Sequence, residues 1–289
     1  VEKDGNIFKV ETECIKHMIP DKRNKIVFSN TSLSDENDIF IVNIDGTNLQ
    51  KLFVHEGKDA GPSFSPDNSK IVFYSHLNEH TWSVFIYDQN RNSVKRVTQK
   101  DSVWDAAPSW SPAGDKIIFN RTFPFENYRS EILIMNADGS ELKQLGELKG
   151  LGPVFSPDGK QIVFTSDIDG DFDIYVSNKE GKNIKKILEN KSNEYWPKWS
   201  PCGKEIVFQS DKNGNTNIYK LNILSGTLSR LTEHEADDCE PAWSPDGSKI
   251  AFSSNRNGTF HIYIMNTDGS HLKQLTNLPV HNIQPSFIK

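Results

Sequence analysis

The chain has few cysteines, few methionines and no long apolar run. Three cysteines among 289 residues, Cys14, Cys202 and Cys239, show no CxxC or metal-finger spacing, so they predict neither a disulfide framework nor a zinc module, and they set no redox compartment. No apolar stretch approaches the roughly 20 residues that cross a bilayer, which excludes a membrane-inserted helix. An excess of basic residues is also missing: Lys and Arg number 33 against 39 Asp and Glu, a net charge of -6. Nucleic acids and anionic membranes require clustered cations, so neither is an expected partner.

What is present is a repeat. Pro-x-(Phe/Trp)-Ser-Pro occurs as PSFSP from Pro62, PSWSP from Pro108, PVFSP from Pro153, PKWSP from Pro197 and PAWSP from Pro241, with a partial PSF from Pro285. The prolines are 46, 45, 44, 44 and 44 residues apart. Each SP leads into a polar turn, then an apolar run starting at Ile71, Ile117, Ile162, Ile206 or Ile250, with one more run at Ile26. An IYxxN-like segment and a short KQLT-like segment follow. These pieces are four to seven residues long, β-branched or aromatic, and bounded by Gly, Asn, Asp or Pro, the mark of strands joined by tight turns.

Four strands per unit, six units and a period near 44 predict an all-β fold, a six-bladed β-propeller of four-stranded antiparallel blades. The ring is expected to close through residues 284–288, which supply the innermost strand of the blade formed by residues 25–54. This divides the chain into an N-terminal extension, residues 1–24, irregular or weakly paired, and the propeller, residues 25–289.

The SPDGKxIxF…SDxxGxxxIYxMNxDGSxxxxLT pattern resembles the TolB-type propeller repeat, over residues 25–289. The resemblance implies a location outside the cytoplasm, periplasmic or secreted, and a propeller without the α/β domain that precedes it in TolB. The pattern is shared with dipeptidyl-peptidase propellers and oligogalacturonate lyases, but no G-x-S-x-G elbow of a hydrolase occurs here. Family resemblance therefore speaks for fold before activity.

The chemical-looking residues sort by whether they repeat. Ser244 of SPDGSK recurs in the other units, so it reads as a turn in which Pro sets φ, Asp caps and Gly closes the corner. Phe64, Trp110, Phe155, Trp199, Trp243 and Phe287 occupy one repeat position and read as spacers between blades. Asp167, Asp169, Asp171 and Asp173 alternate around Gly170 and could offer oxygen ligands to Ca2+, although a plain hairpin accounts for them too. His55, His234 and His281 lie on connections leading to the inner strands. No disulfide is expected between Cys202 and Cys239.

Three residues before each motif proline stand Asp59, Asp105, Gly150, Glu194, Asp238 and Asn282. If the inner strands line the channel, these acids ring its mouth, where repelling carboxylates raise one another's pKa or demand a cation. Trp104, Tyr195 and Trp196, which do not repeat, lie beside them. The expected function is a non-catalytic, monomeric scaffold that binds a protein or peptide through a basic or extended segment, with Asp59, Asp105, Glu194, Asp238, Asn282, Trp104, Tyr195 and Trp196 in the ligand site. The four acids, or Asp167, Asp169 and Asp171, are candidate ligands for a divalent cation. The alternative is a metal-assisted polysaccharide lyase or hydrolase at the same mouth; no residue is assigned a catalytic role.

Overall fold

The computed structural model describes residues 24–31, 37–53, 57–78, 81–188 and 191–289. The N-terminal extension expected for residues 1–24 lies, but for Asn24, outside them. The first unit contributes β1 (Lys25–Thr31), β2 (Asn37–Asn43) and β3 (Gln50–Lys51). The second gives β4 (Lys58–Phe64), β5 (Lys70–Asn78), β6 (Thr81–Asp88) and β7 (Ser93–Arg96), and the third β8 (Trp104–Trp110), β9 (Lys116–Phe123), β10 (Arg129–Asn136) and β11 (Lys143–Gln144). Next come β12 (Leu151–Phe155), β13 (Gln161–Ser166), β14 (Asp173–Asn178) and β15 (Lys185–Lys186), then β16 (Glu194–Trp199), β17 (Glu205–Ser210), β18 (Asn217–Asn222) and β19 (Leu228–Arg230). The last unit is β20 (Asp238–Trp243), β21 (Lys249–Ser254), β22 (His261–Asn266) and β23 (Lys273–Gln274), followed by β24 (His281–Phe287).

The fold is an all-β propeller, but the expected count of six four-stranded blades requires correction. Four four-stranded blades stand alone: β24-β1-β2-β3, β12 to β15, β16 to β19 and β20 to β23. Strands β4 to β11 instead form one eight-stranded sheet. The cause is a parallel bridge between Trp82 of β6 and Trp104 of β8, supported by Trp82 N–H donating to the Val103 carbonyl at 3.2 Å. Strand β24 pairs antiparallel with β1 from Ile26↔Phe287 to Thr31↔His281, a pairing that begins at residue 281 rather than 284.

The second strand of each unit explains why its sequence is a continuous apolar run. It lies mid-sheet with both faces covered by neighbouring sheets, so both alternating sets of side chains are buried. Ile71, Val72 and Phe73 are all fully buried, as are Phe28, Phe119, Phe164, Phe208 and Phe252 at the equivalent of Phe73. The apolar clusters bridge adjacent units: Phe73 and Phe64 pack with Val27 and Ile41, and Ile26 and Phe28 pack with Ile262 and Leu275 across the closure. Trp110 and Trp243 add a polar link, their indole N–H groups donating to the carbonyls of Ser63 and Lys198 on the preceding inner strands.

The SPDG elements are turns. Ser244 Oγ donates to Asp246 Oδ1 at 2.6 Å and accepts from Lys249 N at 2.9 Å, closing the corner between β20 and β21. Ser65 with Asp67 and Ser156 with Asp158 repeat the arrangement. The hydroxyl donors hold all three Asp carboxyls below their usual range, Asp67 at about 2. The expectation that Cys202 and Cys239 are not joined holds, since Cys239 is a free thiol; Cys202 is disulfide-bonded. Sequence spacing does not report which sulfurs are neighbours in space.

Candidate functional site

The residues chosen from the sequence separate into two environments. Asp59, Asp105, Glu194, Asp238 and Asn282 share one repeat position, as expected, but all are buried, at 0 to 1% exposure. Asp105 receives a two-point bond from Arg121 (Nε to Oδ1 2.6 Å, Nη2 to Oδ2 2.7 Å). Asp238 accepts from Arg256 Nη2 at 2.7 and 2.9 Å. Glu194 Oε1 accepts from Ser192 and Ser210 at 2.9 and 3.0 Å, and Asn282 Oδ1 accepts from Asn30 Nδ2 at 3.0 Å. These four side chains tie the starts of β8, β16, β20 and β24 to the adjacent strand or its hairpin.

Trp104 and Tyr195 are half-buried, their rings tilted against those of Tyr128 (centroids 5.8 Å) and Phe172 (5.0 Å) respectively. Asp167, Asp169 and Asp171 are exposed on a hairpin, where Asp169 Oδ2 accepts from Tyr175 Oη at 2.7 Å and Gly170 N donates to the Asp167 carbonyl. Asp173 is buried against Lys186 at 2.6 Å. His234 and His281 each accept a loop N–H, from Ala236 and Phe260, while His55 lies outside the described residues. Among the described residues no group of three or more His, Cys, Asp and Glu could hold a metal ion.

Of the predicted site, only Trp196 enters the central channel. This cavity has a volume of about 610 Å³ and is walled by the inner strands. Each inner strand is irregular. Register shifts fall between Ala60 and Ser63, Ala106 and Ser109, Leu151 and Val154, Tyr195 and Lys198, and Cys239 and Ala242. At the centre of each shift, just before the motif proline, φ is positive: Gly61 58°, Ala107 51°, Gly152 57°, Trp196 56° and Glu240 55°, with Gln284 at 56° on β24. Such a bulge re-aims a side chain. Non-glycine residues held there cost of order 1–3 kcal/mol each and concentrate at functional sites.

The strained position carries five residue types in six units, glycine occurring twice. On one side of the channel it carries Trp196, Glu240 and Gln284; on the other, Gly61, Ala107 and Gly152 leave space. The bare residues accommodate large neighbours: a Cβ on Gly61 would lie 2.4 Å from Tyr74 Cε1, and one on Gly152 would lie 3.0 Å from Trp196 Cε3. Two residues further on, Ser63, Ser109, Val154, Lys198, Ala242 and Ser286 also line the cavity. Lys198 is the one charged member of that set.

A polar network organises the furnished side. Glu240 Oε2 accepts from Gln284 N at 2.8 Å and Ser253 Oγ at 3.0 Å. Gln284 Nε2 donates to Tyr74 Oη at 2.9 Å, and its Oε1 accepts from Gly61 N at 2.8 Å and Ser29 Oγ at 3.1 Å. Desolvation raises the Glu240 carboxyl, the hydrogen bonds and Lys198 opposing. Desolvation pushes Tyr74 up to about 12, with Glu240 adding to it. Lys198 is drawn down to about 8 by desolvation, against the pull of Glu240. The channel can therefore present an acceptor, hydroxyl and indole donors, and an ammonium within apolar proline walls. The sequence signal was available: the residue immediately before the constant proline varies widely, as Gly61, Ala107, Gly152, Trp196, Glu240 and Gln284.

The family model of the TolB beta propeller domain matches residues 17–124, 107–238 and 213–289. The chain belongs to this family. It is 31% identical over 140 residues to an uncharacterized protein of Agrobacterium fabrum, covering 44% of this chain and 46% of that one. To a TolB homolog of Chlorobium chlorochromatii it is 30% identical over 146 residues, covering 50% and 31%. The chain thus matches less than half the length of these relatives. The crystal structure of TolB from Acinetobacter baumannii superposes with a TM-score of 0.82 at 22% identity, covering 92% of this chain and 66% of that one, which is a likeness of fold. The TolB-like scaffold is established on these matches, and no helix of the described residues is long and apolar enough to cross a membrane.

Proposed function

We propose that this TolB-like propeller is a non-catalytic scaffold that binds an extended peptide segment of a partner protein in its central channel. The observation that carries the reading is the set of strained bulges that turns Trp196, Glu240 and Gln284 toward one side of a 610 Å³ channel. A volume in the roughly 300–1,000 Å³ range of ligand pockets, apolar walls and a few converging polar groups favour a ligand site. An extended chain matches those walls, because its side chains can meet the proline ring while its backbone amides meet Glu240 and Tyr74. The acids chosen from the sequence support the scaffold in this reading, since Asp105 and Asp238 are engaged by Arg121 and Arg256. A position outside the cytoplasm is part of the proposal, supported by the TolB kinship.

The test is selection of a synthetic random heptapeptide library on the immobilised protein. Enriched peptides should bind the native chain and bind Trp196→Ala and Glu240→Ala at least about tenfold more weakly, the loss of a good buried anchor. No enrichment, or equal binding to the variants, would overturn the reading.

A further inference from the structure

Lys198 is anomalous in its surroundings. Its five counterparts in the repeat, Ser63, Ser109, Val154, Ala242 and Ser286, are all small, so packing does not call for a long cation there. Its Nζ makes no hydrogen bond or ion pair with any described residue, although Glu240 lines the same cavity. Glu240 is not free to reach it, because Oε2 is pinned by Gln284 N and Ser253 Oγ. An ammonium taken into a desolvated cavity without a bonded counter-ion is unfavourable, and burial draws its pKa to about 8 even against the through-space pull of Glu240.

We propose that Lys198 is the anchor for a carboxylate on the peptide that enters the channel, with Trp196 packing beside that residue's aliphatic stem. This rests on the channel being the peptide site. A carboxylate fits better than a phosphoryl group: the cavity lining holds the point cations Lys198 and Lys289, no Arg fork, and Glu240 in the same space, which suits a single negative charge over a dianion. It also changes the expected sign of the partner's motif, since the acids outside the channel are occupied by Arg121, Arg256 and Lys186.

The heptapeptide library is synthesised twice, with C-terminal acids and with C-terminal amides. Enrichment of Asp or Glu in the amide library identifies a side-chain carboxylate; enrichment confined to the acid library identifies the terminal one. Replacing that group by its amide should weaken binding to the native protein about 10- to 100-fold. Lys198→Met should impose the same loss, Lys198→Arg much less of it, and the amide peptide should not distinguish Lys198→Met from the native chain. Enriched peptides that need Trp196 but carry no required carboxylate would overturn this inference and leave the channel reading intact. Peptides indifferent to Trp196, or none, would overturn both. The comparison of acid and amide peptides on the native chain decides the matter even if Lys198→Met does not fold.

Discussion

Gly61 lies directly beneath the ring of Tyr74, so close that a Cβ on Gly61 would stand 2.4 Å from Tyr74 Cε1. Because φ of Gly61 is 58°, an alanine there meets both an unfavourable backbone and an obstructing ring. Gly61→Ala should lower unfolding free energy by roughly 1–3 kcal/mol in a denaturant titration. It should also weaken peptide binding, as a displaced Tyr74 loses the Gln284 bond.

The Asp105 and Arg121 pair gives a sharper stability prediction, both side chains being at most 8% exposed. Arg121→Met strands a buried carboxylate and should destabilise by about 3–5 kcal/mol, whereas the double change Asp105→Leu with Arg121→Met should cost far less. Chemical denaturation of the two variants checks the difference. A double variant as unstable as the single one would mean that the pair does more than cancel charge.

Lys198 should leave a signature in the pH dependence of stability. Its folded pKa, about 8, lies below its ordinary 10.5, so between these values the unfolded chain binds more protons and stability rises with pH. Below pH 8 both states are charged and the effect is flat. Between pH 8 and 9.5 the native chain should gain stability relative to Lys198→Met. Tyr74, raised to about 12, opposes this only above its ordinary value of 10, outside the window.

The Cys239 thiol should be sluggish. Burial first, then Glu240, Asp237 and Asp238, push its pKa up, and the thiolate is the reactive form. Alkylation by iodoacetamide at pH 8 should run at least about tenfold slower in the native protein than in denaturant, as followed by mass spectrometry.

The repeat was legible because packing demands it: the prolines, the Ile-Val-Phe runs and the spacer aromatics each answer to a neighbour that recurs. The channel was less so. Asp105 and Asp238 were expected at the mouth because they share one repeat position on strands that line the channel; in a regularly alternating strand each would also share a face with the residue just before the proline. The bulge inserts one residue between them and reverses the alternation, so Trp196 and Glu240 turn toward the channel while the acids turn toward Arg121 and Arg256. Trp196 was selected as a non-repeating aromatic, and Tyr195 beside it on the same ground, but only Trp196 occupies the bulge. The bridge between Trp82 and Trp104 was equally hidden, since it joins residues at unrelated positions of the repeat.

Pairing of β24 with β1 joins residues 252 positions apart, as in the bond from Asn30 to Asn282. During synthesis β1 emerges before the other described propeller strands and β24 after them. At about 5–20 residues per second this leaves a hydrogen-bonding edge open for roughly 10–50 s. The segment KIVFSNT must pass that interval without its final neighbour, which makes it the place where a nascent chain is most exposed to pairing with another copy.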